Sequence, residues 1–262
     1  MLRPRIIPIL LLHKNGLYKS VNFDSYKYIG DPLNAVKIFN EKKVDELAII
    51  DIDASINNRI PNFKLISKIA SACRMPLAYG GGVKTINQFN KIIGLGVEKV
   101  IFSSGFIENS LLIRECSEQT GSQSIVICLD VRKEGIFTNK YNVYTYNGKK
   151  KVDKTLLELI IKSQDMGAGE IILNSIDLDG SLKGYDINLI HKVYGQLKIP
   201  ITILGGAGNL QHIKKLFENY PIVGAGVGSL FVLKGKYRAV LIQYPSALEK
   251  QDLYPYKVNK NS

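Results

Sequence analysis

Short apolar runs alternate along the chain with longer amphipathic stretches. Runs rich in Ile, Val and Leu occur at Ile6–Leu11, Leu47–Ile52, Leu77–Tyr79, Val100–Ser103, Ser124–Asp130, Glu170–Asn174, Ile201–Leu204 and Ile222–Val227. They lack strict alternation of apolar and polar positions, which is the pattern of strands buried on both faces. Between most of them lie segments with helical spacing, such as Pro32–Lys42, Asn87–Leu95 and Leu210–Glu218. Eight strands, each followed by a helical segment, predict a (β/α)8 TIM barrel. An open doubly wound sheet is the alternative, but no GxGxxG turn follows the first strand. The barrel is expected as one domain over residues 1–250. A hairpin insertion is expected at about 132–152, where Tyr141, Tyr144, Tyr146 and an Asn147-Gly148 turn follow strand five. Residues 251–262 read as a C-terminal tail, with Tyr254–Ser262 polar and frayed.

The two halves of the chain repeat one another. Glu46 to Asp53, Tyr79 to Val83 and Val97 to Ser104 correspond to Glu170 to Gly180, Leu204 to Gly208 and Val223 to Ser229, at an offset of about 125 residues. Solenoid repeats have periods of roughly 20–50 residues. A half-length repeat instead indicates two half-barrels that carry the same site.

Composition narrows the class. The 262 residues are 45% hydrophobic and 22% charged, which is globular and argues against wholesale disorder. No apolar run approaches the roughly 18 residues of a membrane span. Met1 to Arg5 leads into a short apolar run without a small-residue cleavage site, so no signal peptide is expected and the cytoplasm is the default compartment. Cys73, Cys116 and Cys128 are odd in number and widely spaced, and only His13, His191 and His212 could join them. Neither a disulfide framework nor a metal site is expected, and no organic cofactor is indicated. The net charge of +12 fits a phosphorylated substrate as well as it fits a lysine-rich proteome. No helix-turn-helix or aromatic-basic RNA motif accompanies it, so no nucleic-acid partner is expected.

Candidate chemistry sits at the predicted strand ends. Gly80-Gly81-Gly82 and Gly205-Gly206 each follow a strand and precede a helix, where backbone N–H groups can approach an anion. Ser103-Ser104 and Gly228-Ser229 end the next strand of each half and supply further donors. Asp51, Asp130 and Asp177 fall at the C-terminal ends of strands, where barrel active sites lie. Asp130, after the apolar Ile125–Leu129, is the candidate general acid or base. Asp179 and Gly180 shape a turn. Lys19, in a polar loop after strand one, is placed to close over an anion. Arg5, Glu46, Lys99 and Glu170 precede or begin strands and converge at the opposite face, as stabilising charges or as a gate over an axial passage.

Over about residues 1–245 the chain resembles the cyclase (synthase) subunit of imidazole glycerol phosphate synthase. The matching pieces include Arg5 to Pro8, Lys19 with Asn22-Phe23, Gly30-Asp31-Pro32, Asp45-Glu46-Leu47, Gly80-Gly81-Gly82, Gly121-Ser122-Gln123, Gly167 to Glu170, Ser175 to Gly180 and Gly205 to Gly208. The resemblance implies a barrel paired as a heterodimer with a glutaminase subunit, whose ammonia crosses the barrel to a bis-phosphorylated ribotide. By the same resemblance the ammonia gate falls on Arg5, Glu46, Lys99 and Glu170, and the glutaminase contact on Glu98. The phosphate sites fall on Gly82, Ser103 and Ser104, and on Asp179, Gly180, Gly206, Gly228 and Ser229. One catalytic aspartate falls on Asp130.

The chain also departs from that family. Leu11 stands where the family's second catalytic aspartate ends strand one, and Ser103-Ser104 replaces an Asn-Thr pair. Loss of one general acid/base group costs about 10²–10⁴-fold in rate. Leu10-Leu11-Leu12 and the terminal Arg238–Pro245 resemble paralogues associated with surface-polysaccharide synthesis, beside a glutaminase and a sugar amidotransferase. That likeness implies ammonia delivery to amidation of an N-acetyl sugar. An active cyclase of histidine biosynthesis and a catalytically silent scaffold for the glutaminase are the alternatives.

Overall fold

The computed structural model describes residues 4–135, 140–221 and 223–255. Its centre is a closed barrel of eight parallel strands: β1 (Arg5–His13), β2 (Leu47–Asp51), β3 (Leu77–Gly80), β4 (Lys99–Phe102), β5 (Ile125–Glu134), β6 (Glu170–Ser175), β7 (Ile201–Leu204) and β8 (Gly224–Val227). Neighbours in sequence are neighbours in space, and the pairing of β5 with β6 and of β8 with β1 closes the ring. Ile222, the predicted start of strand eight, lies outside the described residues, as do 1–3, 136–139 and 256–262.

The absence of alternation in the sequence has a direct cause. One set of strand side chains packs outward against helices, including Ile6, Leu10, Leu47, Ile49, Val100 and Ile127. The other set fills the barrel lumen: Ile7, Ile9, Ala48, Ala78, Ile101, Val126, Cys128, Ile172 and Leu204, with Ile50 against them. The helix Pro32–Glu41 shows how the outer layer forms. Asp31 caps its first turn through Asn34 N–H, Pro32 occupies a position where no N–H is needed, and Pro32, Ala35, Val36 and Phe39 make one buried face. Asn62, Thr85, Thr155, Asp186 and Asn209 cap later helices in the same way.

Three stretches depart from the predicted pattern. The polar loop expected after β1 is an antiparallel hairpin, Gly16–Val21 with Asp24–Gly30, built on the extended end of β1. The insertion after β5 is a three-stranded ribbon, in which β5 pairs with Lys140–Thr145 and that strand with Lys150–Thr155. Its turn carries Tyr146 and Asn147 at φ 54 and Gly148 at φ 74, as the sequence indicated. No long helix follows β8 directly. A short 3-10 turn at Ser229–Phe231 and a two-residue hairpin, Leu233–Lys234 with Ala239–Val240, come first, and the helix Ala247–Leu253 comes only after Pro245. Of the expected tail, 251–253 end that helix, and the frayed stretch falls largely in the undescribed 256–262. Among the described residues no helix is long and apolar enough to cross a membrane.

Candidate active site

The half-barrel repeat is visible in backbone angles. Gly81 and Gly82 adopt φ of +120 and +75, and Gly205 and Gly206 adopt +99 and +97. These values favour glycine, and the space demands it as well. A Cβ on Gly81 would strike the Asp51 carbonyl oxygen, and one on Gly205 would lie 2.6 Å from the Ser175 carbonyl oxygen. Ser103 (φ −126, ψ −86) and Gly228 (φ −101, ψ −95) share one unusual conformation at the ends of β4 and β8. Each half therefore builds the same cradle from a diglycine turn and a serine-bearing turn.

The two cradles differ in the space they leave. Gly82, Ser103 and Ser104 line a cavity of about 110 Å³ at the C-terminal mouth, together with Leu11, Lys19, Asp130, Asn174 and Asp179. Gly180, Gly206, Gly228 and Ser229 line a separate cleft of about 10 Å³, which also reaches Asp179.

Asp130 is the carboxylate that hangs over the lumen. One of its oxygens accepts a hydrogen bond from Asn174 Nδ2 at 2.8 Å and faces the Cys128 thiol at 3.8 Å. Burial pushes its carboxyl up to about 7; the Asn174 bond opposes the rise, and repulsion from Asp179 adds to it. Such a group is near half-ionised at neutral pH and can give or take a proton. Asn174 sits on β6 in direct register with Asp130 on β5, and its own Oδ1 is buried and meets no hydrogen-bond partner among the described residues. Asp51 and Asp177 have structural duties instead. Asp51 caps the turn Ile52–Ile56 by accepting from Asp53 and Ala54 N–H, and Asp177 accepts from Lys133 N–H at 2.7 Å to hold the ribbon.

Lys19 is no surface lysine. It is 3% exposed, its ammonium reaches the Ile9 carbonyl at 3.3 Å, and it fills the place where a Cβ on Gly228 would stand. Burial lowers its pKa, Asp179 works against that, and nearby Arg238 adds to it. Asp179 accepts from the Ser20 hydroxyl at 2.6 Å, its carbonyl accepts from Asn22 N–H, and its own N–H is spent on Ile176. Asp179, expected among the phosphate-binding residues, uses its carboxylate to anchor the hairpin and to balance Lys19. Leu11 lines the cavity together with Ile9 and Ile50.

At the opposite end the four predicted charges form a closed ring. Arg5 Nη1 and Nη2 reach Glu46 at 2.6 Å and Glu170 at 2.8 Å, and Lys99 Nζ reaches the same two carboxylates at 2.8 and 3.0 Å. Thr202 Oγ1 donates to Glu170 at 2.6 Å. Burial would raise the Glu170 pKa, but Arg5 and Lys99 outweigh it and hold the carboxylate below its usual range. Glu98, beside the ring, is exposed. Among the described residues no cluster of His, Cys, Asp or Glu is arranged to hold a metal ion.

Sequence reasoning missed Asn174 and the mouth residues Phe23, Tyr26 and Tyr146, and also Arg238, whose guanidinium reaches Gly180 and Ser229. For Asn174 a signal existed, since it ends the predicted run Glu170–Asn174 just as Asp130 ends the predicted run Ser124–Asp130.

The family model for histidine biosynthesis proteins matches residues 5–238. The chain belongs to that family. A HisF-type relative from Leptospira borgpetersenii is 52% identical over 97% of this chain and 100% of its own. A hisF3-designated relative from Vibrio vulnificus is 53% identical over 96% of both chains. The imidazole glycerol phosphate synthase subunit HisF of Streptococcus mutans is 36% identical over 88% of this chain and 91% of its own. As a HisF-type barrel, the chain has its closed parallel strands and paired cradles where the family match runs.

Proposed function

We propose that this HisF-type barrel is the synthase subunit of a glutamine amidotransferase system. A glutaminase docks at the N-terminal face around Glu98, and its ammonia passes the ring of Arg5, Glu46, Lys99 and Glu170. The apolar lumen, with the small Ala48 and Ala78 on its wall, suits neutral ammonia and disfavours ammonium. At the mouth, Asp130 and the cradles hold a phosphorylated small molecule. The ammonia supports amidation of an N-acetyl sugar in surface-polysaccharide synthesis, with a sugar amidotransferase as the further partner.

One observation carries this reading. The gate ring is complete, while the cavity that Asp130 lines presents Leu11, which can neither donate nor accept a proton. An ammonia route is kept, and half of an acid/base pair is missing. The test supplies bis-phosphorylated ribotide and high ammonium to the purified protein and follows imidazole product by chromatography. Wild type is expected to turn over poorly, and Leu11→Asp to gain about 10²–10⁴-fold. Turnover by wild type at the level of an authentic cyclase would overturn the reading and make this a histidine-pathway enzyme.

A further inference from the structure

The segment that replaces a helix after β8 delivers a cation to the second cradle. The two-residue hairpin Leu233–Lys234 with Ala239–Val240 turns the chain back toward the mouth, and Arg238 stands in that turn. Its guanidinium donates to the Gly180 carbonyl at 3.3 Å and to the Ser229 hydroxyl at 3.4 Å, two residues of the second cradle. Lys27, from the hairpin after β1, holds the Arg238 carbonyl at 2.6 Å. From the other side comes Lys19, buried and directed at Gly228. Among the described residues, neither Arg238 nor Lys19 forms an ion pair with a carboxylate, and Asp179 is the carboxylate that acts on Lys19 through space.

A buried ammonium and a guanidinium that converge on one glycine-rich turn without an ion-pair partner are costly unless an anion joins them. The first cradle shares the turn design and differs in its cation, Lys84 at its edge, which is in contact with Asn58 and Glu108. Both Arg238 bonds are long, so they are the ones that phosphate oxygens would replace. The remaining cleft of about 10 Å³ has room for about one water, so the guanidinium must shift as the anion enters.

We propose that Arg238 is an anion-binding residue of the second cradle and that, with Lys19, it selects the dianionic form of a phosphate monoester there. This rests on the reading of both cradles as phosphate sites. The test titrates inorganic phosphate into the full chain, following stoichiometry and affinity by calorimetry and ³¹P spectroscopy. Wild type is expected to bind at two sites. Arg238→Met is expected to weaken one of them by about tenfold to a hundredfold, the loss of a charge-assisted hydrogen bond, and to leave the other unchanged. Arg238→Lys is expected to fall between. The affected site in wild type should tighten from pH 5 to 8, as inorganic phosphate gains its second charge at about pH 7, somewhat above the monoester value near 6, and that gain should shrink in Arg238→Met. Equal affinities at both sites in wild type and variant would overturn the role of Arg238 and leave the cradles standing. Absence of phosphate binding by wild type would overturn the cradle reading itself. The unaffected first site serves as the internal check that each variant is folded.

Discussion

Replacing Asp130 by asparagine tests the electrostatics of the mouth without any knowledge of the substrate. The folded chain holds this carboxyl at about 7, against 3.8 for an ordinary aspartate. Below pH 3.8 folded and unfolded chains both keep the proton, and Asp130 carries no penalty. As the pH rises above that value the unfolded chain ionises first, so each pH unit removes about 1.4 kcal/mol of stability. The folded carboxyl ionises as the pH passes about 7, where the accumulated penalty levels at about 4 kcal/mol. Asparagine keeps the shape and can still pair with Asn174, and a changed hydrogen bond would add a roughly pH-independent offset of about 1 kcal/mol. The stability of Asp130→Asn relative to wild type should therefore climb between pH 4.5 and 7 and then flatten. Urea unfolding followed by far-ultraviolet circular dichroism at a series of pH values measures the difference, in which the charge repulsion common to both chains cancels. A difference that does not change with pH would refute the argument, because it would mean that Asp130 ionises like a solvated carboxylate.

Two further outcomes follow from the same geometry. Lys99→Ala should cost about 3 kcal/mol in urea, since Glu46 and Glu170 then share Arg5 alone. In complex with the glutaminase it should also lower glutamine-driven relative to ammonium-driven transfer, and an unchanged ratio would count against the conduit. Gly206→Ala should cost about 3 kcal/mol or more, because φ is +97 and the added carbon would strike the Gly184 carbonyl; an unfolding midpoint equal to wild type would remove that claim.

The barrel was legible because its strands are buried on both faces and its helices are not. That contrast survives in a single sequence. The diglycine turns and the four ring charges were legible for a related reason, since each repeats or converges at a fixed distance from a strand. The hairpin after β1 was not. Every residue from Asp24 to Lys27, and Tyr28 as well, is exposed, so no hydrophobic period marks the strand. Its signal is aromatic instead, with Tyr18 packed edge-on against Tyr28, and Tyr26 stacked on His13. The charged strand Lys150–Thr155 hides in the same way. Reading Lys19 as a loop lysine followed from that miss, because only the hairpin register turns it inward. Arg238 was visible as part of a family-like stretch, but its role depends on a turn that forms where a helix was expected.

The matched cradles have an evolutionary consequence. Each half closes its own turn with its own glycines, and neither diglycine turn borrows its backbone conformation from the other half. Duplication thus gives one chain two independent copies of the same turn design, and a substitution on the β1 side, at Leu11 for example, leaves the backbone of the second copy as it is.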